Sequence, residues 1–156
     1  MRRYLLPGCF VLVLVLGLHT MTIASGVHGS LAIEPVEVVT SDGARHAFSA
    51  YLADTPEART RGLMYVTRLE PDHGMLFDFR MTGPAYMWMK NTPLSLDMLF
   101  IDEQGVVARI ESRTRPFSTA LIASGTDVRA VLEINGGTAE KLGIAAGNRV
   151  VHRLFK

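Results

Sequence analysis

Charged residues set inside apolar runs are the first places where this chain can do chemistry. Asp97 interrupts Leu94-Ser95-Leu96 and Met98-Leu99-Phe100-Ile101, and Glu133 interrupts Val131-Leu132 and Ile134. Such charges either face solvent or are buried with partners. Upstream, Met87-Trp88-Met89 runs directly into Lys90-Asn91-Thr92-Pro93, and Lys90 is one of only three lysines. These residues make the leading candidate ligand site. Trp88 would stack on or cover a ligand, Lys90 would meet an anionic group, and Asn91, Asp97 and Glu133 would orient it. If Lys90, Asp97 and Glu133 converge, they form an ion-pair network or a ligand pocket more readily than an acid–base pair. Strand alternation offers a plainer account, with Glu133 and Val131 sharing an outward face.

A second constellation is sulfur-rich. Six of the eight methionines fall between Met64 and Met98. His73, Met75, Met87 and Met89 supply imidazole and thioether groups of the kind that hold Cu(I) in an oxidising compartment. Methionines are also adaptable core fillers beside aromatic rings. Alternation places Met87 and Met89 on one face and Trp88 on the other, which favours packing over a shared metal site. A third reading takes Asp97 and Glu133 as the paired carboxylates of a hydrolase, which requires that they face each other across a cleft. The Asn135-Gly136-Gly137-Thr138 turn offers backbone N–H groups to an anion ahead of a helix, or is an ordinary turn capped by Thr138. There is no Gly-x-Ser-x-Gly elbow, no His-Glu-x-x-His and no phosphate-binding loop. Strong catalytic signatures are therefore missing, and the expectation leans away from an enzyme. No cofactor is expected beyond the Cu(I) alternative.

The elements that must position these residues are mostly strands. Val36 and Val38 alternate with polar neighbours, and Ser41-Asp42-Gly43 turns into a run from Arg45 to Ala53. Thr55-Pro56-Glu57 starts a helix that Gly62 stops. Apolar runs follow at Met75–Phe79, Ala85–Met89, Met98–Ile101 and Val106–Ile110. The stretch 112–127 has no clear period and reads as a long surface loop. Val128–Ile134, a short helix at Ala139–Leu142 and a closing strand at Arg149–Phe155 complete the body. The expected fold is mainly β, a small barrel or sandwich of about eight short strands with two short helices.

The first 29 residues read differently. Arg2-Arg3, an apolar run and a small-residue exit have the form of a signal peptide or, if uncut, an N-terminal anchor. A single β-rich domain at 31–156 follows. Export to the periplasm or the extracellular space is expected, with membrane contact only through an uncleaved leader. The sole cysteine, Cys9, lies in that leader, so the mature chain carries no thiol. With 16 basic against 15 acidic side chains in 156 residues, phosphate attraction would not drive binding. A small-molecule or envelope ligand is expected, and no nucleic acid.

Several blocks carry a family resemblance. They are Arg61-Gly62-Leu63-Met64, Gly74-Met75-Leu76-Phe77, Trp88-Met89-Lys90-Asn91-Thr92-Pro93 with Leu96-Asp97, and Phe100-Ile101-Asp102 with Gly105-Val106-Val107. Val131-Leu132-Glu133-Ile134 with Gly137, and Gly143-Ile144 with Gly147, continue the series. In order and spacing, from about residue 36 to 154, these resemble the bacterial and archaeal family known as domain of unknown function 192. The resemblance implies a compact, mainly β domain, with an export signal or anchor in many members, and brings no reaction or ligand. The closing segment Ala139 to Gly147 also resembles that of PDZ domains. The glycine-rich carboxylate-binding loop of those domains has no counterpart here, so this is shared turn chemistry.

Overall fold

The computed structural model describes residues 31–155; the leader lies outside them. The chain folds in the order β1 (Ile33–Val39), β2 (Arg45–Ala53), α1 (Pro56–Arg61), β3 (His73–Met87), β4 (Leu96–Ile101), β5 (Val107–Glu111), β6 (Ile122–Asn135), α2 (Thr138–Lys141) and β7 (Arg149–Val151). Among the described residues the fold is mainly β, with seven strands in one sheet ordered β5-β4-β6-β3-β2-β1-β7. All pairings are antiparallel except that of β2 with β3. The sheet curls into a half-barrel whose ends meet at a bridge between Val106 and Arg149. There the Val107 N–H donates to the Asn148 carbonyl at 2.8 Å.

All of β4, with the stretches 74–78 of β3 and 130–134 of β6, is buried on both faces, which explains the near-continuous apolar runs there. Because side chains alternate across a strand, the two faces carry different cores. One holds Val36, Phe48, Leu52, Leu76, Leu99, Leu132 and Ile134. The other holds Leu63, Met75, Phe77, Met89, Met98, Phe100 and Val131. The 54–72 crossover that joins the parallel pair β2 and β3 carries α1 and brings Leu63 and Leu69 to the second core.

The first helix forms as its sequence dictates. Thr55 caps it by accepting the Ala58 N–H at 3.1 Å, Pro56 opens it and Gly62 closes it. Two expectations need correction. The runs 75–79 and 85–89 are not separate: His73–Met87 is one 15-residue strand. Nor is 112–127 all loop, because β6 starts at Ile122 and pairs Ile122 with Met87 and Asp127 with Pro84. Gly83, Pro84 and Gly125 break the hydrophobic period without ending the pairing. Register shifts absorb them, and the Ser124 hydroxyl accepts the Ala85 N–H at 3.0 Å. Bulges of this kind are where proline and glycine are tolerated in a sheet.

Candidate functional site

A pocket of about 380 Å³ opens between three segments. The end of α1 and the following Gly62-Leu63-Met64 form one wall, and Phe77, Phe79, Tyr86 and Met87 of β3 form another. The turn after β3 contributes Trp88, Lys90 and Thr92, and Glu133 of β6 lies within. Gly62 sets the first wall. Its φ of +48° is one that L side chains resist, and a Cβ there would come within 3.2 Å of the Phe77 ring. Glycine thus allows the chain to leave the helix while resting on the aromatic ring.

The turn is held from both sides. The Met89 N–H donates to the Ser118 carbonyl at 2.9 Å, and the Thr92 N–H to the Met89 carbonyl at 3.1 Å. Met89 is buried, whereas Trp88 is 41% exposed. The Lys90 ammonium sits 5.1 Å from the indole centroid, within cation–π range.

Glu133 is the unusual member. It lies in register with Met75 and Met98, is only 3% exposed and shares the second core face with Val131. The outward face considered for this pair is corrected: β6 is an inner strand covered on both sides. Among the described residues nothing hydrogen-bonds the Glu133 carboxyl. Burial pushes its pKa up to about 8, because desolvation penalises the charged form. At neutral pH it is a protonated acid, able to donate one hydrogen bond and accept others.

Asp97 is elsewhere. It pairs in register with Ile134, one residue along from Glu133, so the two carboxylates point to opposite faces of the sheet. This corrects both the expected three-way convergence with Lys90 and the facing pair that hydrolysis would need. Asp97 is fully buried and accepts three backbone N–H groups: Arg113 at 2.7 Å, Gly137 at 2.9 Å and Ala139 at 2.8 Å. The cap of α2 is therefore Asp97 from β4, and Thr138 makes no side-chain cap. The Gly137 N–H, in the turn expected to offer an anion site, and the Ala139 N–H beyond it already hold this carboxylate.

Asn91 braces the pocket from outside its lining. With φ +57° its carbonyl accepts the Tyr65 N–H at 2.8 Å, and its Nδ2 donates to the Tyr65 hydroxyl at 2.9 Å. This ties the segment after Met64 to the turn carrying Lys90. Of the proposed copper ligands, Met75, Met87 and Met89 pack in the apolar second core with Leu63 and Phe77. His73 bonds Asp72 at 2.9 Å instead. Met87 is the member of that set that reaches the pocket. Among the described residues no three His, Cys, Asp or Glu side chains group as a metal site.

The structure thus brings Trp88, Lys90 and Glu133 together and leaves Asn91 and Asp97 in supporting positions. Site-based reasoning missed Arg61, Met64, Phe77, Tyr86 and Thr92, which also line the pocket. A signal for three of them was present in the blocks 61–64 and 74–77, which read as structural because they hold no charge within an apolar run.

Comparison with known proteins identifies the family and the fold. Residues 37–152 match the family model of DUF192, described as Uncharacterized ACR, COG1430. No curated protein matches the chain significantly. Among solved structures, a protein of Sinorhizobium meliloti 1021, provisionally described as a transcription regulator, is 47% identical with a TM-score of 0.77. The match covers 78% of this chain and 95% of that one. A protein of unknown function from Novosphingobium aromaticivorans DSM 12444 is 37% identical with a TM-score of 0.76, over 78% of this chain and 86% of that one.

Proposed function

This chain belongs to the DUF192 family, and from its pocket geometry we propose that it is a non-catalytic, exported module that binds a small organic ligand. One observation carries the reading: a carboxyl only 3% exposed, with no hydrogen-bond partner among the described residues, in the lining of an open pocket. Polar groups this deeply buried normally have a partner. A ligand that reaches Glu133 supplies one. Trp88 covers the opening, Lys90 meets an anionic group, and Asn91 holds the wall. Arg2-Arg3 and the apolar run after them support export, so the ligand belongs to the envelope or its surroundings.

The description of the Sinorhizobium protein lends little to this chain. The helices described here are six and four residues long, too short for a recognition helix in the major groove, and the charge is nearly balanced.

The test is a fragment screen on the full chain, followed by Trp88 fluorescence and by the methionine methyl resonances. Binding should quench Trp88 saturably and shift Met64 and Met87 while leaving Met81, which lies outside the pocket lining, unmoved. If a broad panel leaves all of these unchanged, the pocket is not a ligand site.

A further inference from the structure

Deepening the reading just given, we infer that the pocket takes an organic anion with an apolar body, its charged end between Arg61 and Lys90 and its far end hydrogen-bonded to Glu133. Three cationic side chains, Arg59, Arg61 and Lys90, and one acidic side chain, Glu133, line the pocket. Arg59 is committed, since its Nη1 donates to the Asp54 carbonyl at 3.0 Å and the Asp78 carbonyl at 2.8 Å. Arg61 and Lys90 are exposed, and neither is ion-paired to a carboxylate among the described residues. Lys90 is steadied instead against the Trp88 ring. The rim therefore presents two uncommitted positive charges, which raise the local concentration of anions.

The interior selects the rest of the ligand. Leu63, Met64, Phe77 and Met87 offer an apolar wall of thioether and aromatic groups, suited to an acyl or arylalkyl chain. A volume of about 380 Å³ is in the range of small-molecule sites. Glu133 is kept protonated at neutral pH by its burial, so it donates to an ether, hydroxyl or carbonyl oxygen. An organic cation would fare worse: it must pass both rim charges and then ionise a carboxyl that its surroundings hold neutral.

The experiment titrates three probes of matched shape, each with a para-methoxy oxygen on its ring to accept from Glu133, namely the methoxy-substituted phenylbutyrate, phenylbutylamine and phenylbutanol, onto the full chain, read by Trp88 fluorescence and the Met64 and Met87 methyl resonances. Phenylbutyrate should bind saturably and at least about tenfold more tightly than phenylbutylamine, a difference of about 1.4 kcal/mol. The double variant Arg61→Gln/Lys90→Gln should weaken phenylbutyrate by about tenfold and phenylbutanol by much less. Phenylbutyrate affinity should also fall as pH rises through about 8, and Glu133→Gln should flatten that dependence. If phenylbutylamine binds as tightly as phenylbutyrate, or the double variant binds phenylbutyrate normally, the anion assignment is overturned and the pocket reading stands. If none of the three binds, both fall.

Discussion

Two carboxylates one register step apart have opposite roles. Asp97 is buried with three backbone N–H groups on it and works as a clasp joining β4, the loop after β5 and the start of α2. Glu133 is buried with none among the described residues. Removing the Asp97 carboxylate should strand three donors, each worth about 1 kcal/mol or more when left unsatisfied. Asp97→Ala is therefore expected to lose about 3 kcal/mol, and Asp97→Asn, which keeps one acceptor oxygen, about half of that. Urea denaturation midpoints check both values. A native Met64 and Met87 methyl pattern in the folded variants would show that the clasp and the pocket are separate, as the opposite faces require.

At the scale of elements, the pocket exists because a short helix ends in the right place. Thr55 and Pro56 start α1, and Gly62 turns the chain at φ +48° against the Phe77 ring. Gly62→Ala meets two obstacles at once, a positive φ and a ring 3.2 Å from the new Cβ. The expected cost is about 1–2 kcal/mol. The Phe77 resonances should move with it and probe affinity should drop, because the wall carrying Leu63 and Met64 is displaced. A fully native spectrum would mean that Gly62 does not set the wall. The helix was legible in the sequence because capping is local, encoded within four or five residues. The long β3–β6 ribbon was not, because Gly83, Pro84 and Gly125 look like breakers until a partner strand accommodates them with bulges.

Across the whole molecule, the titrating groups shape stability in opposite directions. Burial pushes the Asp78 carboxyl up, but hydrogen bonds from Arg129 and the Arg80 N–H, and both their charges, outweigh it and hold it below its ordinary value. Burial likewise pushes the His152 imidazole down, against the pull of Glu34. Both favour the folded state at higher pH. Stability from Asp78 is lost as pH falls below its ordinary 3.8. As pH falls below 6.5, the unfolded His152 takes up a proton that the folded one resists. Glu133 acts the other way. Between 4.5 and about 8 the folded chain keeps a proton that the unfolded chain has lost, so stability falls as pH rises through that window. By about pH 7 the penalty approaches 3 kcal/mol. Thermal melts should thus give a declining Tm between about pH 6.5 and 8, above the range in which His152 opposes Glu133, and Glu133→Gln should abolish most of that decline. A variant that melts in parallel with the parent at every pH would show that Glu133 is not the buried acid described here.

What the amino-acid sequence determined by itself is what depends on near neighbours and on pattern. The mainly β class, the hairpin of β1 and β2, the capped first helix and the family blocks all follow from alternation, turn chemistry and spacing. Trp88 and Lys90 were also visible, because an isolated lysine beside the chain's one tryptophan stands out in composition. Only the tertiary structure decided which carboxylate is free. Asp97 and Glu133 look alike in sequence, each a charge in an apolar run. One step of strand register sends them to opposite faces, and long-range folding brings Gly137 and Ala139 to Asp97. Among the described residues nothing comparable reaches Glu133, so the same chemistry becomes a clasp at one position and an open acid at the other.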